Sequence, residues 1–445
     1  VDADFRHLPG AAADRSGHRD RADLGTVHRQ RQDDVLDIDL VRGELEAFYH
    51  LCAVSDWANA HPLAFSPVND SETEELHEQL FNWGYYREQR QLYASLLHKI
   101  DCEVDLVCLN GLGSLHDVLG DAWQALDYYQ RSLELAQRLD VLEAEATSLG
   151  NLGNAYLSFG LPERSLDFYQ QHLAKARIVG NRRSIGIALG NLGNVYRILN
   201  DYDRAIDCIQ QRLAIARAIG DRRGEGDAYG NLGSVYALQG RLEEAQRLQQ
   251  QALSIAQEIG NRLGECRTYG NLGLVHQALD NSAEAINCFK SALKIARIIE
   301  DTEGQRLAIL QLGALCQQLD RYEEAIQYQQ QALGFVSDPI RIGALMLNIG
   351  TAYRELGQSV EAIAWYETLM ATASQVDSAL PELQSLLIMG HYGLATVHHQ
   401  RGQWMKAIAA CDQALLLADV SLTPLVEQIE SFRQSVLSAL RPPSS

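Results

Sequence analysis

The feature that most constrains this 445-residue chain is a tetrapeptide, Gly-Asn-Leu-Gly, which recurs four times at intervals of forty residues. The four identical copies begin at Gly150, Gly190, Gly230 and Gly270. Weaker copies continue the series on both sides, at Gly111-Leu112-Gly113, Gln311-Leu312-Gly313, Asn348-Ile349-Gly350 and Tyr392-Gly393. A fixed period of this length is typical of a repeat array, in which each unit buries its apolar face against its neighbours.

Each unit contains two runs of apolar residues at helical spacing. In the second full unit the first run extends from Ser184 to Ile198, and the second from Ala205 to Ala216. Gly220 suits the left-handed end of the second helix, and Asp221 suits the cap of the next one. Residues of the same kind occupy this capping position in neighbouring units: Asn181, Asn261 and Asp301. The sequence therefore predicts a helix pair in each unit.

Small residues recur at one position of each predicted helix. A glycine inside a helix costs about 1 kcal/mol relative to alanine, so its repetition indicates close packing. We expect the first-helix glycines to face the second-helix alanines. The glycines are Gly153, Gly193, Gly233, Gly273 and Gly313, and the alanines are Ala205, Ala245, Ala285 and Ala325.

The repeat resembles the tetratricopeptide repeat (TPR). The resemblance rests on Leu192-Gly193, then Tyr196, then Ala205, and on the segment Ile215 to Glu225 between units. The forty-residue version is similar to the Leu-Gly-Asn repeats of Pins-type polarity scaffolds. It is equally similar to bacterial arrays attached to caspase-like (CHAT) or NTPase domains. The proline that often closes a TPR is absent, and neither GoLoco motifs nor a protease or NTPase domain follows.

The resemblance implies an all-α fold, a right-handed α-solenoid (superhelix) of about eight or nine helix-turn-helix units with capping helices. We expect a disordered leader at 1–34, degenerate N-terminal helices at 35–103, the TPR array at 104–418, a capping helix at 419–440 and a tail at 441–445.

The chain begins with Val1 and its first methionine is Met346. Either the chain is a fragment, or its gene uses a non-standard start codon and part of the leader is not translated. We assign no function to the leader.

Composition narrows the class of function. A formal net charge of −20 argues against nucleic-acid binding, which needs clustered Lys and Arg. No stretch reaches the roughly 18 apolar residues of a membrane span, so membrane insertion is not expected. The eight cysteines form no CxxC motif, and no secretory signal is visible, so we expect a cytoplasmic protein. Phosphate-loop, nucleophile-elbow and zinc-protease motifs are missing. We therefore expect no enzyme activity, no cofactor and no metal.

A ladder of amide side chains runs along the first helices, two residues before each repeat glycine. It consists of Asn151, Asn191, Asn231 and Asn271, extended by Gln311 and Asn348, with Asn154 and Asn194 on the same helix face. An amide both donates and accepts, so it can pair with a peptide backbone of any sequence. Similar ladders hold extended peptides in other TPR superhelices, which the resemblance implies here. The alternative is that these amides bond to the adjacent helix and only maintain the spacing of the units.

A second ladder consists of Arg182, Arg222 and Arg262, with Arg183 and Arg223 beside two of them. Arginine suits bidentate carboxylate recognition, so this ladder would favour an acidic or C-terminal segment of a partner. The alternative is an exposed ion pair with Glu225 or Glu265. The lysine position of chaperone-binding TPRs holds glycine here, which argues against recognition of a chaperone tail.

These observations favour a cytoplasmic scaffold or adaptor that binds an extended segment of a partner protein in its concave groove, for example in complex assembly. The alternative is a regulatory sensor arm of a signalling or protease-effector system whose catalytic part is another chain. Homo-oligomerisation is a further option, through the apolar residues late in the first helices, Ile198 and Leu238 with the smaller Ala278.

Overall fold

The computed structural model describes residues 41–65, 75–82, 85–373, 381–418 and 423–440. Within these ranges it contains 21 α-helices and no strand, which confirms the predicted all-α fold. The predicted leader at 1–34 and the tail at 441–445 lie outside the described residues. The chain divides into two compact units, Val1–Leu199 and Asn200–Ser445.

The first unit contains nine described helices, in which α1 to α4 precede the repeats and α5 begins them. They are α1 (Arg42–Ala53), α2 (Trp57–Ala64), α3 (Leu76–Asn82), α4 (Tyr86–Leu96), α5 (Cys102–Val118), α6 (Ala122–Leu139), α7 (Leu142–Ser158), α8 (Pro162–Val179) and α9 (Arg182–Ile198). The N-terminal helices share one apolar core with α5, which includes Phe48, Leu92 and Leu112. The degenerate N-terminal region is therefore packed onto the first repeat helix.

The second unit contains the remaining twelve described helices. They are α10 (Tyr202–Ile219), α11 (Arg222–Leu238), α12 (Leu242–Glu258), α13 (Arg262–Ala278), α14 (Ser282–Ile298), α15 (Thr302–Gln318), α16 (Tyr322–Leu333), α17 (Pro339–Glu355), α18 (Ser359–Ala373), α19 (Pro381–Gln400), α20 (Trp404–Leu417) and α21 (Thr423–Ala439). Within each compact unit the helices pack as pairs in chain order: α5 with α6 and α7 with α8 in the first, and α11 with α12, α13 with α14, α15 with α16, α17 with α18 and α19 with α20 in the second. In α21, Ile429 and Val436 are buried against apolar residues of α20.

Side-chain caps begin the first helices at the predicted positions. Asn181, Asp221, Asn261 and Asp301 each accept a hydrogen bond from the backbone N–H three residues later, at distances of 2.9–3.1 Å. Each cap satisfies one of the free N–H groups of the first turn, which is worth about 1 kcal/mol. Gly180 and Gly220 end α8 and α10 in the left-handed conformation, with φ values of 77° and 73°. The predicted helix caps and the predicted left-handed glycine at the end of the second helix are confirmed.

The repeat glycines make room for a large side chain of the second helix. A Cβ atom added at Gly153 would lie 2.5 Å from the ring of Tyr169, and one added at Gly273 would lie 2.5 Å from Phe289. Tyr129, Gln249 and Tyr366 occupy the equivalent place in their pairs. In the helix pairs that carry the repeat alanine, the large residue lies four positions after that alanine, one helical turn away. The alanine position also lies against the glycine where a side-chain atom reports on it, since Ser165 Oγ at this position donates to the carbonyl oxygen of Gly153 at 2.7 Å.

Candidate functional site

The amide ladder lies at the edge of the buried face of each first helix. Every member immediately precedes a buried Leu or Ile, which places the amide between the core and the solvent. Asn151, Asn191, Asn231, Asn271 and Gln311 are half-buried, while Asn348 is exposed.

In the first unit, two of the ladder asparagines bond to neighbouring helices. Asn151 Nδ2 donates to Asn110 Oδ1 on α5 at 3.4 Å, and Ser148 donates to the same oxygen at 3.5 Å. Asn154 Oδ1 accepts a hydrogen bond of 2.5 Å from the hydroxyl of Tyr169. The first contact joins two successive first helices, α5 and α7, and the second joins α7 to α8, so both correspond to the structural alternative that the sequence left open for these asparagines.

Asn194 has a local partner: its Oδ1 accepts hydrogen bonds from Arg197 Nε at 3.3 Å and Nη2 at 2.7 Å, one turn along α9.

In the second unit the ladder divides into bonded and free amides. Asn271 Nδ2 donates to Ser234 Oγ on α11 at 3.5 Å, a long contact across successive first helices. Across the described residues, no hydrogen-bond partner is present for the amides of Asn231, Gln311 and Asn348, nor for Asn191 in the first unit. Free amides in half-buried positions remain available to a ligand, because a peptide group can satisfy them without displacing an existing bond.

A cavity of about 260 Å³ brings two ladder residues together in the second unit. We call it the arginine pocket. One face of α11, the end of α12 and the beginning of α13 form its walls, and Arg212 reaches it from α10. Its polar lining comprises Arg212, Arg223, Asp227, Asn231, Asn261, Arg267, Thr268 and Asn271. Ala252, Ile255 and Ile259 are among its apolar lining residues.

The charges of the arginine pocket leave an excess of positive charge. Arg212 Nη2 forms an ion pair of 2.9 Å with Asp227 Oδ2, and the Arg212 side chain is mostly buried. Arg223 and Arg267 are exposed, and neither has a salt-bridge or hydrogen-bond partner in the part of the chain that the structure describes. Two guanidinium groups are thus available beside the two ladder asparagines.

Arg182, Arg222 and Arg262 are not among the residues that line this pocket. Arg222 forms ion pairs with Glu225, at 2.6 Å, and with Glu258, and Arg262 pairs with Glu265 at 3.1 Å. The carboxylates raise the pKa of Arg222, and Arg217 and Arg222 lower the pKa of Glu225. Arg182 is exposed at the beginning of α9. For Arg222 and Arg262, the ion pairs are those that the sequence analysis gave as the alternative.

Arg267, Asn110 and Ser234 are residues that the sequence analysis did not single out. Asp227 and Leu307 stand forty residues before and after Arg267, so arginine does not recur at this position of the repeat. Helical spacing could have identified Arg267, because it lies four residues before Asn271 and hence on the same face of α13.

Within the described ranges, no group of three or more His, Cys, Asp and Glu residues is arranged to hold a metal ion. None of the described helices is long and apolar enough to cross a membrane. All eight cysteines are free thiols, and burial raises the pKa of Cys108 to about 12 and that of Cys411 to about 11.

Helix pairs repeated every forty residues define a helical-repeat scaffold. The chain belongs to the tetratricopeptide repeat family, whose repeat matches six overlapping segments: 105–178, 144–218, 184–258, 224–298, 264–338 and 305–375. Proteins of this family generally serve as scaffolds for protein–protein interaction. The predicted TPR resemblance is confirmed, whereas the Pins-type or CHAT-associated subtype stays a prediction. No curated protein matches the sequence.

Comparison with solved structures finds similar chains at low sequence identity. A Rap protein complexed with competence and sporulation factor is 14% identical, covers 76% of this chain and 98% of its own, and has a TM-score of 0.49. Aspartyl phosphate phosphatase F from Bacillus subtilis is 15% identical over 87% of this chain and 96% of its own, with a TM-score of 0.43. The apo form of the quorum sensor NprR from B. thuringiensis is 14% identical, covers 75% of this chain and 99% of its own, and has a TM-score of 0.46.

Proposed function

We propose that the chain binds an extended segment of a partner protein along its first helices, and that the free amides of the ladder hold the backbone of that segment. The observation that carries this proposal is the pairing of Asn231 with Asn271 in one open cavity, where Asn231 has no bond to another described residue.

The spacing of the ladder suits an extended peptide. Neighbouring packed helices lie on the order of 10 Å apart, and an extended chain rises about 3.3 Å per residue. One amide per first helix therefore meets roughly every third residue of the peptide. Because an amide reads the backbone and not the side chains, the ladder supplies affinity without sequence preference.

The bonded and free amides predict different consequences of mutation. Asn151 is engaged by Asn110, so its removal affects the packing of helices. Asn231 has no described partner, so its removal leaves the fold unchanged and affects only a ligand. Asn151 therefore provides a matched control on the same repeat position.

The test is a selection of random peptides about nine residues long, enough to span about three repeats, on the full chain. An enriched peptide is then labelled and its affinity measured by fluorescence anisotropy for wild type, Asn231→Ala and Asn151→Ala. We expect Asn231→Ala to weaken binding by about tenfold with an unchanged melting temperature, since one or two hydrogen bonds are lost. N-methylation of one backbone amide of the peptide should weaken binding to wild type and not weaken it further in Asn231→Ala.

Two results contradict the proposal. One is a selection that enriches no peptide over the starting library. The other is equal affinity of the enriched peptide for wild type and for folded Asn231→Ala.

The proposal extends to a non-catalytic adaptor in the cytoplasm, with a TPR array of the Leu-Gly-Asn subtype. Eight unpaired cysteines support a reducing compartment. The sensor arm of a signalling or protease-effector system remains the alternative role. A sensor should change shape or partner when a ligand binds, whereas an adaptor should bind its client without a trigger.

Self-association through the exposed Ile198, Leu238 and Ala278 is a separate proposal, which sedimentation at several protein concentrations would test.

A further inference from the structure

The arginine pocket holds Arg223 and Arg267, two cations without an ion-pair partner among the described residues, beside Asn231 and Asn271. The two arginines come from successive first helices, α11 and α13. Arginine has a planar set of donors that matches a carboxylate, and charge-assisted hydrogen bonds are stronger than neutral ones.

Three acidic groups near these arginines have arginine partners of their own. Asp227, the one carboxylate among the lining residues, pairs with Arg212 at 2.9 Å. Glu225 is held by Arg217 and Arg222, and Glu265 by Arg262. A carboxylate that enters the pocket therefore meets two uncompensated positive charges, within a chain whose net charge is −20.

The N-terminus of helix α13 also favours an anion in the arginine pocket. Asn261, Leu263 and Gly264, at the beginning of the 17-residue helix α13, line the pocket. A helix N-terminus carries partial positive charge, which favours an anion nearby. The cap at this point is a neutral asparagine, whereas aspartate caps the two neighbouring first helices, at Asp221 and Asp301.

The apolar part of the pocket lining suits a side chain rather than a bare anion. Ala252, Ile255 and Ile259 belong to the lining and can contact the methylene groups of a glutamate or aspartate. Contact with apolar atoms also lowers the local dielectric, which strengthens the attraction between a carboxylate and the arginines.

We propose that the arginine pocket binds the carboxylate of one Asp or Glu side chain in the extended segment that the amide ladder holds. This inference rests on the proposed function: the ladder supplies affinity for the backbone, and Arg223 and Arg267 supply selectivity for an acidic residue at one position. The strongly negative chain as a whole repels a polyanion, so a single acidic residue in a peptide is the ligand of matching charge.

The experiment uses the full chain and a random peptide library with blocked termini, so that side chains are the only carboxylates. We expect wild type to enrich Asp or Glu at one fixed position of the bound peptides. A Glu peptide and its Gln counterpart are then compared by anisotropy on wild type, on Arg223→Gln/Arg267→Gln, and on Arg138→Gln/Arg177→Gln. The last variant also removes two exposed arginines, which lie late in α6 and α8, outside the pocket.

We expect wild type and the Arg138→Gln/Arg177→Gln control to bind the Glu peptide about tenfold more tightly than the Gln peptide. The pocket variant should bind both peptides with the affinity that wild type has for the Gln peptide. Inorganic phosphate, added at constant ionic strength, should not displace the Glu peptide.

The outcomes separate the two proposals. If no peptide binds, the proposed function fails. If peptides bind without an acidic preference, or if the preference survives in the pocket variant, the proposed function stands and the inference is overturned. Displacement by phosphate also overturns the inference, because the pocket would then be a site for a free anion.

Discussion

The ring of Tyr169 lies directly against Gly153, so that a Cβ atom at position 153 would be 2.5 Å from Tyr169 Cε1. Tyr169 is fully buried, and its hydroxyl donates to Asn154 on the same helix as Gly153. The glycine, the tyrosine and the asparagine thus join α7 to α8 at one point. An aromatic ring lies against the repeat glycine in the same way at Gly113, Gly273 and Gly350.

Replacement of Gly153 by alanine should destabilise the protein by about 1–3 kcal/mol, because the buried ring cannot move away from the added methyl group. Gly270→Ala is the matched control: no atom lies within 4 Å of a Cβ at this helical position. There the gain in helix propensity should stabilise the protein by up to about 1 kcal/mol. Thermal unfolding followed by circular dichroism measures both. Equal changes in melting temperature would contradict the packing role of Tyr169.

The bonded and the free amides of the ladder should contribute differently to the stability of the fold. Asn151→Ala removes the hydrogen bond to Asn110 and should cost about 0.5–1.5 kcal/mol in urea unfolding. Asn231→Ala, at the equivalent position, should change the free energy of unfolding by less than about 0.5 kcal/mol, because its amide has no described partner. A larger loss in Asn231→Ala than in Asn151→Ala would reverse the assignment of bonded and free amides.

His172 should make the first unit sensitive to acid. Burial lowers the pKa of His172 from 6.5 to about 4. Between these two pH values the unfolded chain binds a proton that the folded chain does not bind, so the free energy of unfolding falls as the pH falls. Above about pH 6.5 both states are neutral at this residue and its contribution to pH dependence vanishes. The expected loss by about pH 4 is up to roughly 3 kcal/mol.

The measurement is urea unfolding at several pH values for wild type and His172→Ala, since alanine occupies this repeat position at Ala252 and Ala292. His172→Ala should be less stable than wild type at neutral pH and should lose less stability on acidification. His50→Ala, which removes an exposed histidine of α1, is the control and should retain the wild-type slope. Parallel pH profiles for wild type and His172→Ala would show that His172 does not cause the acid sensitivity.

Asp227 should oppose the binding of acidic peptides. Asp227→Asn frees Arg212 from its ion pair and adds a third available guanidinium to the arginine pocket. The affinity for a peptide with one glutamate should rise about threefold to tenfold. Arg212→Gln leaves Asp227 without its partner and should weaken the same interaction. Anisotropy titrations of both variants provide the test, and a change in the same direction for both would argue against an electrostatic pocket.

The sequence predicted the local features of the fold well, because they depend on residues within one or two turns. The caps Asn181, Asp221 and Asn261 each bond to an N–H three residues away, and such contacts follow from helical geometry. The repeat period likewise predicts where each helix pair begins. The large side chain against the repeat glycine, such as Tyr169 at Gly153, was not identified from the sequence, because the depth of packing between two helices depends on the sizes of both side chains.

What the sequence by itself determined is therefore the class of protein: a TPR array of helix pairs with amides and arginines at repeated positions. Only the tertiary structure decided which of those side chains remain free. Arg222 meets Glu258, which is 36 residues away, and Asn151 meets Asn110, which is 41 residues away, whereas Arg223 and Asn231 have no described partner. The physical reason is that the periodicity repeats a position on a helix, while hydrogen bonds and ion pairs depend on which side chains the neighbouring helices bring within reach.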